Sequence, residues 1–510
     1  MDMNHKLIPL LLCTVIWGSA CQQVTKAKKE PHETLKKEQY RPLFHFSPKK
    51  GWMNDPNGMV YLNGTYHLFF QHNPDSAVWG PMHWGHATTK DLIHWEEQPI
   101  ALYPDSLGTI FSGSAVVDKD NTAGFGANAL VAIFTHHNAE IEQKKTGKHQ
   151  YQSLAYSTDE GKTWTKYAGN PVLPNPGIWD FRDPKVRWHE ETKRWIMTLA
   201  TKQTITFYSS PNLKQWSKLS EFGEGIGAHG GVWECPDLFP LIVDGERKWV
   251  LLVSINPGGP NGGSATQYFV GNFDGKTFKP DKKETRWIDY GADDYAGVTW
   301  SNTGNRIIFL GWMSNWQYAN VVPTTAWRSA NTIPRELTLK RVGDEVFLSS
   351  APVKELNDLK TKMEEMTNVT VASEKDFSDL LKNTSMTYSL DLTTANLDDF
   401  TVQLANDLGE QVLVGYDKQQ NQFYVDRSQS GKTDFESGFA KRIVAPRVAK
   451  DTSIELTLVV DVNSVELFAD KGLTVLTDIF FPNRVFDKLR LKSPEKIEFK
   501  RVNLSPFKSN

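Results

Sequence analysis

Asp91-Leu92-Ile93-His94-Trp95 returns in altered form as Asn212-Leu213-Lys214-Gln215-Trp216, and Asp159-Glu160-Gly161-Lys162-Thr163-Trp164 as Asp274-Gly275-Lys276-Thr277-Phe278. In each unit a turn precedes an aromatic residue that opens a strand. The four aromatics lie 69, 52 and 62 residues apart, the length of one four-stranded propeller blade with its loops. Around them, from about Pro42 to Ile333, short β-type runs alternate with Gly, Pro, Asn and Asp. Gly64-Thr-Tyr-His-Leu-Phe-Phe70, Leu130-Val-Ala-Ile-Phe134 and Trp249-Val-Leu-Leu-Val-Ser254 are examples, and no long helical period interrupts them. The first region is therefore read as an all-β propeller whose blade count stays open.

Beyond Arg335 the pattern turns charged and briefly helix-like, with Val353, Leu356 and Leu359 at helical spacing. Strand alternation then resumes. Ile454, Leu456, Leu458 and Val460 point one way, and Glu455 and Thr457 the other. Gln411–Tyr416 and Gln422–Arg427 pair around Asp417-Lys-Gln-Gln-Asn421. Short strands at this spacing predict a β-sandwich. The expected division is a propeller over 42–340, a connector over 341–366 and a sandwich over 367–510. Tryptophan supports it: all 17 lie between Trp17 and Trp327.

The 510 residues carry 57 Lys+Arg against 60 Asp+Glu, a net charge of −3, which gives no electrostatic footprint for nucleic acid. With 39% hydrophobic and 23% charged residues, the chain is composed to fold around a large core. Of three cysteines, Cys13 and Cys21 fall in the leader, so the body holds the single thiol Cys235 and no disulfide. Lys6, the apolar run Leu7–Trp17 and the small residues Gly18-Ser19-Ala20 predict an export signal over 1–20. Cys21 follows at once, as in a bacterial lipoprotein. It is the expected lipidation site, with a tether over 21–41 and a membrane contact through the lipid alone.

Three acidic residues occupy unusual sequence: Asp55 in Trp52-Met-Asn-Asp-Pro-Asn-Gly58, Asp183 in Trp179-Asp-Phe-Arg-Asp-Pro184, and Glu234 in Trp233-Glu-Cys-Pro-Asp237. A proline follows each closely and biases the local backbone toward extended geometry. A tryptophan precedes each, ready to serve as an apolar wall for a sugar. Each motif alone also reads as an ordinary turn. On three blades of one propeller, however, the acids can converge at one end of the channel. Two carboxyl groups beside an aromatic wall suit glycoside hydrolysis, one attacking the anomeric carbon and the other protonating the departing oxygen. Arg182 is expected to hold its neighbour Asp183 ionised.

At these motifs the chain resembles glycoside hydrolase family 32, the levanase, inulinase and invertase family. The resemblance extends through Gln71-His-Asn-Pro74, Trp79-Gly-Pro-Met-His-Trp-Gly-His86, Phe111-Ser-Gly-Ser114, Gly311-Trp-Met-Ser-Asn-Trp316 and Phe423-Tyr-Val-Asp-Arg427. It implies five blades, a following sandwich and retaining hydrolysis of β-fructofuranosides. It also implies that Asp55 is the nucleophile, Glu234 the acid/base and Asp183 a transition-state stabiliser. Asn54, Gln71, Trp79, Phe111, Ser112, Arg182 and Trp316 would bind substrate, with Cys235 behind Glu234. The implied partner is a fructan, levan or inulin, cleaved from its ends. Internal cleavage, a sucrose preference and a non-catalytic glycan-binding propeller are the competing readings. His83, His86, His94, His136 and His137 lie in strand and turn sequence and are read as structural, with no metal and no cofactor.

Overall fold

The computed structural model describes residues 39–361, 364–382 and 384–508. The expected signal, Cys21 and all but the end of the tether lie outside them. Strand Gly51–Leu62 begins a sheet that continues through Thr65–Asn73, His83–Thr89 and Glu96–Leu102. Four more antiparallel sheets follow, opened by Thr109–Asp118, Phe181–His189, Val232–Val243 and Tyr295–Thr299. These five opening strands contact one another in succession, and Tyr295–Thr299 returns to Gly51–Leu62. Latches join the last sheet to the first. Ser301 N donates to Met59 O and Tyr61 N to Ser301 O, each at 3.0 Å, and Trp327-Arg328 pairs in parallel with Gly51-Trp52. This is a five-bladed propeller with the opening strands innermost.

The repeated turns prove to be the entries to the outermost strands of the first four blades. Trp95 precedes Glu96–Leu102, Trp164 precedes Thr165–Lys166, Trp216 precedes Ser217–Phe222, and Phe278 opens Phe278–Pro280. Each turn is built by a side-chain acceptor near its start. Asp91 Oδ1 accepts from Ile93 and His94 N at 3.0 and 2.8 Å, Asp159 Oδ1 from Thr163 N at 3.0 Å, Asn212 Oδ1 from Lys214 and Gln215 N at 3.2 and 3.1 Å, and Asp274 Oδ1 from Lys276 and Thr277 N at 2.9 and 2.7 Å.

The fifth blade breaks the pattern. Its outer hairpin, Arg335–Val342 with Glu345–Pro352, turns through Gly343-Asp344 without the aromatic. The blade therefore runs to Pro352, and the connector begins at Val353 instead of 341. The charged stretch Arg341–Glu345 reads like a linker because solvent covers this turn at the blade's outer edge. The helix-like spacing is a 3₁₀ helix, Lys354–Leu359, which buries Leu356 and Leu359.

The sandwich has two six-stranded sheets, one containing Glu455–Asp461 and the other Gln411–Asp417 and Gln422–Gln429. The predicted alternation holds, since Ile454, Leu456, Leu458 and Val460 are all buried in the sandwich core. Each such side chain contributes about 1.5–3 kcal/mol by leaving water.

Propeller and sandwich share one compact unit over Tyr40–Asn510. Their junction combines apolar packing, with Val459, Phe468 and Val475 of the sandwich in a cluster with propeller residues, and buried ion pairs. Arg335 Nη1 donates to Asp289 Oδ2 and Asp294 Oδ2 at 2.9 Å, and Nη2 to Glu466 Oε2 and Thr477 Oγ1 at 2.5 and 2.6 Å. His45 bridges Asp461 and Glu466 at 2.7 and 2.8 Å. A second buried arginine, Arg427, donates to Asp293 Oδ2 at 2.6 Å and to the Tyr318 hydroxyl at 2.9 Å.

Candidate active site

Every inner strand carries a β-bulge, two residues opposite one. Asn54-Asp55 face Gln71, Phe111-Ser112 face Thr135, Asp183-Pro184 face Leu199, Cys235-Pro236 face Val253, and Ala296-Gly297 face Gly311. A bulge re-aims side chains and leaves the extra residue out of the ladder, which is why proline is tolerated at 184 and 236 in inner strands. In the last three blades the first bulged residue takes a left-handed backbone: φ is 64° at Asp183, 44° at Cys235 and 52° at Ala296. For non-glycine residues this stores on the order of 1–3 kcal/mol each. The residues just before those bulges are Arg182, Glu234 and Tyr295.

Bulged residues of the first three blades, Asn54, Asp55, Phe111, Ser112 and Asp183, meet Glu234 of the fourth at one cavity of about 350 Å³. Its lining includes Asn54, Asp55, Gln71, Trp79, Phe111, Ser112, Arg182, Asp183, Glu234 and Trp316, ten of the eleven residues predicted from sequence for the site. Cys235, the eleventh, is buried behind them. Its thiol lies 3.5 Å from Asp55 Oδ2 and 3.7 Å from Asp183 Oδ2, and its backbone N donates to Asp183 Oδ2 at 3.0 Å. Burial and the surrounding carboxylates push that thiol well above its ordinary pKa, so it stays protonated.

Asp55 Oδ2 accepts from Ser112 Oγ at 2.7 Å and Oδ1 from Asn54 Nδ2 at 2.9 Å. Burial, then the nearby Glu234, raises the Asp55 carboxyl above its ordinary range, while the donors Ser112, Asn54 and Cys235 oppose that rise. Glu234 is clamped from two sides. Arg182 donates to Oε1 from Nε at 3.2 Å and Nη2 at 3.0 Å, and the Tyr295 hydroxyl bonds Oε2. Burial, followed by Glu234 and Asp55, keeps Tyr295 protonated far above the ordinary phenol range.

The expected Arg182–Asp183 ion pair is present but long, and Arg182 does not prevail in keeping Asp183 ionised. Arg182 directs its hydrogen bonds to Glu234, Asp180 and Gln150, with Asp183 Oδ2 4.0 Å from Nε. Asp183 is pushed up to about 7 by burial and by the charges of Glu234 and Asp55, against the pull of Arg182. The bulge places both side chains on the cavity, where a plain strand would send neighbours to opposite faces, and there Arg182 makes its shorter bonds to Glu234 and Asp180.

The three tryptophans expected as walls also divide. Trp52 and Trp233 are fully buried, whereas Trp179 lines the cavity. Trp52 acts from behind, donating from Nε1 to Asn54 Oδ1 at 2.7 Å and stacking on Trp316 at 5.8 Å. Of the histidines read as structural, His137 instead lines the cavity. His86 bonds His67 at 3.1 Å, His94 bonds Asp91 at 2.7 Å and His136 bonds Ser153 at 2.8 Å. Among the described residues no three His, Cys, Asp or Glu side chains are grouped as metal ligands.

Sequence reading missed Tyr295 and, on the cavity wall, Glu142, His149, Gln150 and Asn256. Tyr295 carried a positional signal, an aromatic before Ala-Gly at the level of the other bulges, visible once five blades are counted.

Paired carboxyl groups at the floor of a tryptophan-flanked cavity define a glycoside-hydrolase site, and the comparisons agree. Residues 45–351 match the glycosyl hydrolases family 32 N-terminal domain and residues 355–506 the family 32 C-terminal domain. The chain belongs to glycosyl hydrolase family 32. It is 48% identical over 488 residues to a levanase of Bacillus subtilis, covering 92% of this chain and 71% of that one. It is 42% identical over 494 residues to an extracellular exo-inulinase of Aspergillus niger, covering 89% and 92%. A crystal structure of exo-inulinase from Aspergillus awamori superposes with a TM-score of 0.84 at 38% identity, covering 92% of this chain and 98% of that one.

Proposed function

We propose that this chain is a retaining β-fructofuranosidase that releases fructose from the ends of fructans, levan or inulin. The observation that carries the reading is Asp55 and Glu234 lining one cavity with separate sets of partners. Asp55 attacks C2 of the terminal fructosyl unit. Ser112 and Asn54 aim its oxygens while leaving lone pairs free. Glu234 gives its proton to the bridging oxygen as the bond to C2 breaks. It then takes a proton from water, which attacks C2 and frees fructose from the ester on Asp55. The Tyr295 hydroxyl can donate to the ionised Glu234 or accept from its protonated form, so Glu234 keeps its place through both halves of the cycle. Asp183 receives sugar hydroxyls.

Levanase and exo-inulinase relatives support the substrate class, and a cavity walled by Trp79, Trp179 and Trp316 suits a chain end better than an internal stretch. The leader and the extracellular relative favour an exported enzyme, anchored through lipid on Cys21. Replacing Cys21 with Ser would then move activity from the membrane to the soluble fraction. The deciding experiment resolves products from levan and inulin by chain length over time. Fructose alone from the earliest points is expected; an early ladder of oligosaccharides would overturn cleavage from the ends.

A further inference from the structure

Among the described residues only three Trp, Tyr or Phe side chains are exposed: Trp79 at 46%, Tyr103 at 55% and Trp179 at 41%. Two of them, Trp79 and Trp179, line the cavity. Trp79 stands edge-on to Phe111, and its backbone N is held by Asn320. Trp179 has no part in the displacement chemistry, yet its surroundings are built.

Its ring packs on His149 at 4.5 Å, His149 stands edge-on to His137 at 5.3 Å, and His137 lies flat on Phe111 at 4.4 Å and 4°. Glu142, on the short helix Ala139–Gln143, has Oε2 3.2 Å from His137 Nε2 and Oε1 3.9 Å from His149 Nε2. The loops carrying these residues are fixed to each other. Asn138 N donates to His149 O at 2.8 Å, and Asn175 Oδ1 accepts from Gly177 and Ile178 N at 2.9 and 2.8 Å. Gly147, at φ 73°, touches Gly177 so closely that a Cβ would come within 2.6 Å of its carbonyl oxygen. Holding an indole partly in water costs apolar burial, and this much support keeps it there.

Position gives the wall its task. Trp179 lies three residues before Arg182, whose guanidinium holds Glu234. The leaving group must sit on the side from which Glu234 delivers its proton. We infer that Trp179, propped by His149 with Glu142 at its foot, forms the leaving-group subsite, stacking the sugar bonded through the departing oxygen while Glu142 accepts its hydroxyls. This rests on the fructosidase reading and extends it to the part of the substrate that departs.

The test compares wild type, Trp179→Ala and Trp179→Phe in kcat/KM on inulin and levan, and in inhibition by free fructose, which fills the terminal position alone. The alanine variant should lose about tenfold in kcat/KM with fructose inhibition unchanged within about twofold, and phenylalanine should restore most of the loss. Because the ring is exposed, thermal unfolding should not shift. A parallel loss of fructose inhibition would place Trp179 in the terminal pocket and overturn the assignment, as would an alanine variant equal to wild type. A wild type releasing no fructose from either polymer would overturn the activity reading itself, and this inference with it.

Discussion

Arg182 at the cavity floor and Arg335 between propeller and sandwich each stand among three carboxyl groups: Asp180, Asp183 and Glu234 around the first, Asp289, Asp294 and Glu466 around the second. The difference is closure. Glu234 and Asp180 keep 19% of their side chains exposed, whereas Asp289, Asp294 and Glu466 keep 1% or less. Around Arg335 both guanidinium Nη atoms are engaged and the carboxyl groups are sealed from solvent. Around Arg182, burial and then the charge of Glu234 raise the proton affinities of Asp55 and Asp183, and both face space that a sugar can fill. Similar residues thus make a clamp where water is shut out and a reactive centre where a cavity is left open.

Four perturbations test the contrast. At the open cluster, Asp55→Asn or Glu234→Gln should cost on the order of 10³-fold or more in kcat while leaving thermal unfolding unchanged, since each removes one half of the displacement. Near-normal turnover in either variant would end the assignment. At the sealed cluster, Arg335→Ala should destabilise by about 3–5 kcal/mol in urea unfolding, because Asp289 and Asp294 lose their counter-charge in the interior and Glu466 keeps only His45. A stability equal to wild type would show that the clamp is not one.

A smaller effect is expected from pH. Burial alone would lower His45, but its bonds to Asp461 and Glu466 raise it from 6.5 to about 9. The folded state therefore holds that proton more tightly than the unfolded chain does. The resulting stability, on the order of 3 kcal/mol, is complete below pH 6.5 and is lost as pH rises through about 9. Unfolding followed from pH 6 to 10 should show that decline, and His45→Gln should flatten it. The smallest effect belongs to Cys235→Ser. A protonated thiol replaced by a hydroxyl keeps its donor toward Asp55, so turnover should change less than about tenfold. A loss of about a hundredfold or more in the serine variant would contradict this.

Asp55, Asp183 and Glu234 were legible because each sits in sequence that a plain strand does not use, with a proline beside a polar residue in an apolar frame. Four blades were legible because their outer turns repeat one acceptor-turn-aromatic unit. The fifth was not, since its outer hairpin lacks the aromatic and Tyr295–Thr299 is short and wholly buried, with no alternation to mark it. The Arg182–Glu234 bond was hidden for a different reason. Adjacency in sequence pointed Arg182 to Asp183, and only the fold brings Glu234, from the next blade, within hydrogen-bond reach of its guanidinium. Trp179 was quoted within its motif, but which of three tryptophans faces the cavity depends on backbone register, which composition does not reveal.

The bulges have one more consequence. In four of the inner strands the ladder on either side of the reactive level keeps its count while two residues share a single partner position; Gly51–Leu62 has a second such place, Gly58-Met59 opposite Leu68. Replacing a side chain there leaves every hydrogen-bonded pair below it where it was. Removing one of the two residues would turn the bulge into a plain ladder: Lys185 would still face Thr198 and Asp237 would still face Leu252, but the local bend that aims Asp183 and Glu234 would be gone. The scaffold thus holds these places through aim, with the pairing on either side indifferent to it. Variation in this molecule's chemistry should be found as substitutions at these positions, with the spacing between them held fixed.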